Sequence, residues 1–313
     1  MKDELFKLTK IAKEKIETFP KKTVVRVISH YDTDGITSAA IICKTLHRMG
    51  YKFHATLMKN PFKKGLERLK KENGKIAIFC DMGSGQIDRI KDLNYESIII
   101  CDHHQPMKNA ERNDKILEIN AHLCNINGSF EASGATIAFA LAKTIDEKNI
   151  DLLPLALTGA TGDKQHLNGF RGYNKELLEL ALKNNLLEER KEWFNPRNSI
   201  NDELYYSIEP YYRGLSGRKD KINEFLKKLG ITDDIFDELD NEKKKILKSS
   251  LILHLLKNGC SPETIKSLTQ SKYFFPYMGY NLDDLAELLD ACGKSGEKAL
   301  GLLIALGNKH LVG

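Results

Sequence analysis

The sequence predicts an α/β fold: a doubly wound, mainly parallel sheet followed by an all-helical region. Short apolar runs rich in β-branched residues alternate with amphipathic stretches through the first 195 positions. Those runs lack a polar face, as strands do when helices cover both sides of a parallel sheet. From Ser216 onward the pattern becomes helical periodicity alone.

An amphipathic helix opens the chain and reaches about Phe19, where Pro20-Lys21-Lys22 breaks it. Thr23–Ser29 reads as the first strand, and Asp34-Gly35 turns the chain into a helix of small residues over Ile36–Met49. Lys52–Met58 follows as a second strand, Phe62–Glu72 as a helix, Ile76–Cys80 as a third strand and Ser97–Cys101 as a fourth. Glu131–Thr136 opens another helix. Leu152–Leu157 is a helical stretch leading into Thr158–Gly162, whose small residues let the backbone approach a bound group closely.

Beyond that point Lys219–Leu229, Asn241–Asn258, Pro262–Thr269, Asn281–Cys292 and Glu297–Leu306 carry helical spacing with no strand between them. The expected division is a first domain over 1–195, a linker over 196–215 and a helical region over 216–313. Tyr205-Tyr206 and Tyr211-Tyr212 fall in the linker. Packing in a core is their expected role, with stacking on unpaired bases the alternative.

The balance of 48 Lys+Arg against 43 Asp+Glu, a net charge of +5, permits a nucleic-acid partner without requiring one. Runs such as Lys243-Lys244-Lys245 read as solvated helix faces. The 6 cysteines include no Cys-x-x-Cys pair, which argues against both a zinc knuckle and a disulfide framework. Together with a charged amphipathic start and no apolar stretch near the roughly 20 residues a bilayer span needs, this leads to the expectation of a reducing, cytoplasmic setting without membrane contact.

The chemistry concentrates in four places. His30-Tyr31-Asp32-Thr33-Asp34-Gly35 follows the first strand, Asp81 the third, and Asp102-His103-His104 the fourth, while Asp163 follows a helical stretch. In open α/β sheets, ligands bind outside the carboxyl ends of the strands, so pieces far apart in the chain can converge there. Carboxylates suit Mn2+ and Mg2+, imidazole suits transition metals, and a bridging Asp can hold two ions roughly 3.5 to 4 Å apart for in-line attack on phosphorus. Each piece alone reads as a polar turn or a helix cap; their joint occurrence in this order points to a two-metal cage.

That order resembles the DHH phosphoesterase superfamily. The stretches SHYDTDGITSAA, CDHHQP, SFEASGATIAFALAK and LTGATGDKQ are similar to the archaeal RecJ-like nucleases. The resemblance implies hydrolysis of phosphodiester bonds in single-stranded DNA or RNA with two divalent cations, Mn2+ in preference to Mg2+. His30, Asp32 and Asp81 would hold the first ion, and Asp34, Asp81, His103 and Asp163 the second, with Asp81 shared. His104 would face the scissile phosphate and Asp102 would orient His103.

The free N–H groups around Ser133 and Gly134 are candidates for a substrate phosphate, as are Arg171, Arg213 and Arg218 in their Gly-rich turns. The other readings are a superfamily enzyme acting on short oligoribonucleotides or cyclic dinucleotides, and a non-catalytic scaffold similar to the eukaryotic Cdc45. As RecJ-like proteins meet replication or repair machinery, the resemblance also implies a GINS-like or repair-helicase partner for the helical region. Its final stretch, LAELLDACGKSGEKALGLLIALGNKHLVG, resembles the lead into a second lobe, DHHA1. The Gly-rich loop of that lobe is not in this sequence, so truncation before the lobe is expected.

Overall fold

The structure is a computed structural model that describes residues 2–59, 64–108, 114–191, 193–194, 196 and 199–308. It divides into two compact units, one formed by 1–189 with 273–313 and the other by 190–272.

In the first unit, α1 (Lys2–Glu17) precedes β1 (Val24–His30), α2 (Thr33–Arg48) and β2 (Lys52–Met58). The chain continues through α3 (Lys64–Leu69), β3 (Gly74–Cys80), α4 (Ile87–Ile90), β4 (Tyr95–Asp102) and β5 (Ile116–Asn120). Then come α5 (Gly134–Ile145), α6 (Leu153–Gly162), α7 (Gly172–Lys183) and β6 (Glu188–Arg190). Strands β1 to β5 form one sheet in the order β2-β1-β3-β4-β5, and every pairing is parallel. The predicted doubly wound parallel sheet is therefore the observed one. From β1 the chain winds outward to β2, then crosses back so that β3 lies on the other side of β1. That reversal makes a crevice between the carboxyl ends of β1 and β3.

Period-two alternation in the strands builds two apolar layers. Val25, Val27, Ile76, Ile78, Ile99 and Ile119 pack with α1, α2, α5 and α6 on one face. Ile28, Phe79, Ile98 and Ile100 pack with α3 and α4 on the other. Fully burying one such side chain contributes about 1.5–3 kcal/mol. The exception on the second face is Arg26, whose guanidinium is held by both carboxylate oxygens of Glu72, the carbonyl of His54 and the hydroxyl of Thr56.

Several expectations need correction. β5 is a strand that the apolar runs do not announce, and the small-residue stretch Thr158–Gly162 is the end of α6 itself. The helix expected from Phe62 begins, within the described residues, at Lys64 and ends at Leu69; positions 60–63 lie outside them. The last part of the chain is not uniformly helical. β7 (Lys272–Phe275) and β8 (Tyr280–Asn281) form a small sheet in the order β6-β7-β8.

After β8, α12 (Leu282–Ser295) and α13 (Lys298–Ala305) complete the first unit. Leu285, Leu289, Cys292 and Ile304 are buried in the first apolar layer, so these helices belong to the sheet domain although they lie beyond residue 216. Thr33 Oγ1 donates to the carbonyl of Ala286 at 2.6 Å, which ties α12 to the start of α2.

The second unit contains α8 (Ile200–Tyr206), α9 (Lys219–Lys228), α10 (Asn241–Lys257) and α11 (Pro262–Leu268). Its own core gathers Phe194, Ile200, Leu204, Tyr212, Ile222, Phe236, Leu247 and Leu251. The segment expected as a linker thus supplies part of a core; Asn195, at its near edge, lies outside the described residues. Of the tyrosines, Tyr212 is buried as expected, whereas Tyr206 and Tyr211 are exposed. All 6 cysteines are free thiols. Among the described residues, no helix is long and apolar enough to cross a membrane.

Candidate metal centre

The crevice between β1 and β3 collects the chemistry-bearing side chains of the first unit. His30 ends β1, Asp32 caps α2 by accepting from the N–H of Gly35 at 3.0 Å, and Asp34 sits in the first turn of α2. Asp81 follows β3 in the left-handed region, with φ 54°. Aspartate tolerates that conformation better than most residues, and it turns the carboxylate into the crevice. Asp102 ends β4, and Asp163 caps the carboxyl end of α6.

These groups converge. His30 Nδ1 lies 2.7 Å from Asp32 Oδ2 and 3.7 Å from Asp81 Oδ2. His103 Nε2 lies 3.2 Å from Asp81 Oδ1, 3.3 Å from Asp163 Oδ2 and 3.7 Å from Asp34 Oδ2. Three overlapping sets have ligand atoms within 4.8 Å of one another: His30, Asp32 and Asp81; Asp81, His103 and His104; Asp34, His103 and Asp163. All six residues expected as metal ligands are in this cluster, and Asp81 is shared by two of the sets.

Burial, and then the charges of Asp34, Asp32, Asp163 and Asp102, push the Asp81 carboxyl well above its usual range. Burial and Asp34 push Asp163 up to about 8, against the opposing pull of His103. Asp81 Oδ1 is buried and accepts no hydrogen bond from any described group. An orphaned buried oxygen among repelling carboxylates needs a cation, and mixed imidazole and carboxylate donors suit Mn2+ and related divalent ions. The residues present therefore fit the implied metals.

Supporting contacts refine the expected roles. The sequence leads one to expect that Asp102 orients His103. Instead its Oδ1 faces Nδ1 of His104 at 2.8 Å, because the tight turn brings the second imidazole back over the carboxylate. The same oxygen also accepts from the N–H groups of His103 and His104, and Oδ2 accepts from that of Ser84. Burial opposes the charge on Asp102, but these bonds and the two imidazoles outweigh it and hold the carboxyl well below the usual range. His104, hydrogen-bonded to Asp102, is raised in turn. The ring of His103 is set by the carbonyl of Gly128, 2.6 Å from its Nδ1.

The start of α5 also differs from expectation, which makes Ser133 and Gly134 candidates for holding a substrate phosphate. The N–H groups of Gly134 and Ala135 donate to Asp34 at 2.6 and 2.9 Å, and that of Thr136 to Ser133 Oγ. This helix end therefore positions a carboxylate of the cluster. Arg171 lies at the surface with its guanidinium 5.8 Å from the Phe130 ring centroid. Arg213 and Arg218 belong to the second unit, where both are exposed.

Three supporting residues are visible only in the structure. Asn120 donates to Ser84 Oγ and to the carbonyl of His104 at 2.8 and 2.9 Å. Gln165 donates to the carbonyls of Gly128 and Ala132, and Asn174 donates to Gln165. The one sequence signal for them is a polar residue, Asn120, ending a largely apolar run.

A doubly wound sheet with this carboxylate and imidazole cluster at its switch point defines a DHH-type phosphoesterase fold. The description "DHH family, N-terminal domain" matches residues 24–160, and the chain belongs to that family. Uncharacterized protein MJ0831 of Methanocaldococcus jannaschii is 33% identical over 317 residues, 99% of this chain and 69% of that protein. Cdc45 from Entamoeba histolytica shares the fold, with a TM-score of 0.66 and 15% identity over 98% of this chain and 68% of that one. RecJ from Thermus thermophilus, in complex with Mn2+, aligns with a TM-score of 0.44 and 18% identity over 95% of this chain and 39% of its own.

Proposed function

We propose that this protein hydrolyses phosphodiester bonds in single-stranded nucleic acid with two divalent cations, Mn2+ in preference to Mg2+. The observation that carries the reading is Asp81: a buried carboxylate with one unpartnered oxygen, flanked by a His30–Asp32 set on one side and a His103-centred set on the other. Cations bound there would polarise phosphoryl oxygens and lower the pKa of water.

The chain's own residues do the rest. His30, Asp32 and Asp81 would hold one ion, and Asp34, Asp81, His103 and Asp163 the other. Asp34 is aimed by the N–H groups opening α5, and His103 by the Gly128 carbonyl. Asp102 fixes Nδ1 of His104, which leaves Nε2 directed outward from a ring that is 58% exposed. The hydrogen bond to Asp102 raises the pKa of His104 above its ordinary value. His104 donates to a non-bridging phosphate oxygen and places the scissile bond over the centre.

Every ligand position expected from the sequence is filled, which argues against a purely scaffolding role. Digestion of 5′-labelled and 3′-labelled single strands with Mn2+ tests the proposal. A product ladder supports an exonuclease; activity confined to dinucleotides supports a small-substrate phosphoesterase; no cleavage of either rejects the reading.

A further inference from the structure

Tyr31 stands between His30 and Asp32 in the first motif, and metal binding has no use for it. Its ring packs edge-on against His30, with centroids 4.7 Å apart. Lys59, just after β2, brings Nζ within 5.9 Å of the ring centroid, and Lys298, opening α13, comes within 5.8 Å. Lys294, near the end of α12, is exposed, pairs with Asp290 and directly follows Gly293. Two ammonium groups from separate parts of the chain thus face one motif residue.

The backbone beneath them is fixed. Gly293 packs so tightly on the Tyr31 carbonyl that a Cβ there would overlap it. Thr33 bonds to Ala286 on the same helix. The Tyr31 loop is therefore held against a packed helix, which fixes the ring that Lys59 and Lys298 face.

A metal centre rich in carboxylates repels the phosphates that flank a scissile bond. A rim of Lys offsets that repulsion, because the ammonium group binds phosphate as a compact point charge. We propose that Lys59 and Lys298, arranged around Tyr31, form a subsite for a second phosphate of the substrate, next to the one being cleaved. This rests on the reading of the centre as a phosphodiesterase, and it narrows the substrate to chains carrying at least two phosphates.

The test uses the full chain with Mn2+ and the double variant Lys59→Ala with Lys298→Ala. Binding of a nuclease-resistant phosphorothioate oligothymidylate is followed by fluorescence anisotropy across salt concentrations. Hydrolysis is compared between ordinary oligothymidylate and thymidine 5′-(p-nitrophenyl phosphate), which has a single phosphodiester. The variant should weaken oligonucleotide binding on the order of tenfold and shrink the log–log salt slope by about 0.7 per lost contact. Its kcat/KM should fall about tenfold further on the oligonucleotide than on the ester, mostly through KM, and Arg at both positions should restore binding.

Unchanged binding and salt slope overturn the subsite even if wild-type protein cleaves both substrates. Equal losses on both substrates overturn it too, since they indicate a disturbed centre. Lysine-dependent binding without cleavage of either substrate leaves the subsite standing and rejects the phosphodiesterase reading.

Discussion

Gly134→Ala probes how the first turn of α5 supports the centre. An added methyl would stand 2.7 Å from Asp81 Cβ, 2.8 Å from Asp81 Cα and 2.9 Å from Asp34 Oδ2, whereas ordinary contact begins at 3.4 Å. Two of those neighbours belong to or adjoin the backbone of a residue held in the left-handed region, so neither can swing aside. Relief requires α5 and the Asp81 turn to part by roughly 0.6 Å in an interior without spare volume.

Overpacking of this kind costs about 1–3 kcal/mol, and because Gly134 opens α5, the gain that alanine brings in mid-helix does not offset it. The protein should therefore stay folded. Since a 1 Å misplacement at a reacting centre can cost a hundredfold, a loss of about ten- to a hundredfold in phosphodiesterase kcat/KM is expected. Mn2+ affinity, measured calorimetrically, should weaken in parallel. Wild-type affinity and rate in a folded Gly134→Ala protein would refute the close-packing argument.

Further outcomes follow from the same contacts. Asp81→Asn keeps the backbone conformation, since Asn also tolerates positive φ. It should abolish hydrolysis yet raise the melting temperature of the metal-free protein, because a carboxyl strained by burial and four neighbours becomes neutral; a lower melting temperature would contradict this. Arg26→Leu leaves the His54 carbonyl without its donor and Glu72 with that of Tyr95 alone, and should cost about 1–3 kcal/mol in urea denaturation. Burial pushes Cys43 and Cys101 up to about 12 and Cys124 up to about 11. At pH 8 they stay protonated and covered, so Ellman's reagent should modify the half-buried Cys260 first and all 6 thiols only after unfolding. Prompt reaction of several thiols in native protein would contradict that burial.

Much of the site was legible because most of the expected ligands follow strands, whose ends share one edge in a parallel sheet, while Asp163 ends a helix. His30, Asp32, Asp34, Asp81, His103 and Asp163 meet as their positions implied. The errors lie where local pattern is silent about partners. The Ser133-Gly134 turn reads equally well as a phosphate cradle or a carboxylate clamp, and only the fold reveals Asp34 facing it. Asp102 precedes two histidines, and the turn geometry, which spacing does not encode, selects His104.

The run containing β5 is obscured by Glu118, a charged residue that is nonetheless buried. Amphipathic spacing marks Leu285, Leu289 and Cys292 as one apolar face. It cannot tell that the face rests on the sheet domain, after an insertion over 190–272 that builds its own core.

Two cations gathered around Asp81 by these side chains are what the proposed chemistry requires. Anomalous diffraction from crystals soaked in Mn2+ tests for them most directly. Two peaks should flank the Asp81 carboxylate, one beside His30 and Asp32 and one beside Asp34, His103 and Asp163. An absence of manganese there at saturating concentration, or peaks only at surface carboxylates, would contradict that chemistry.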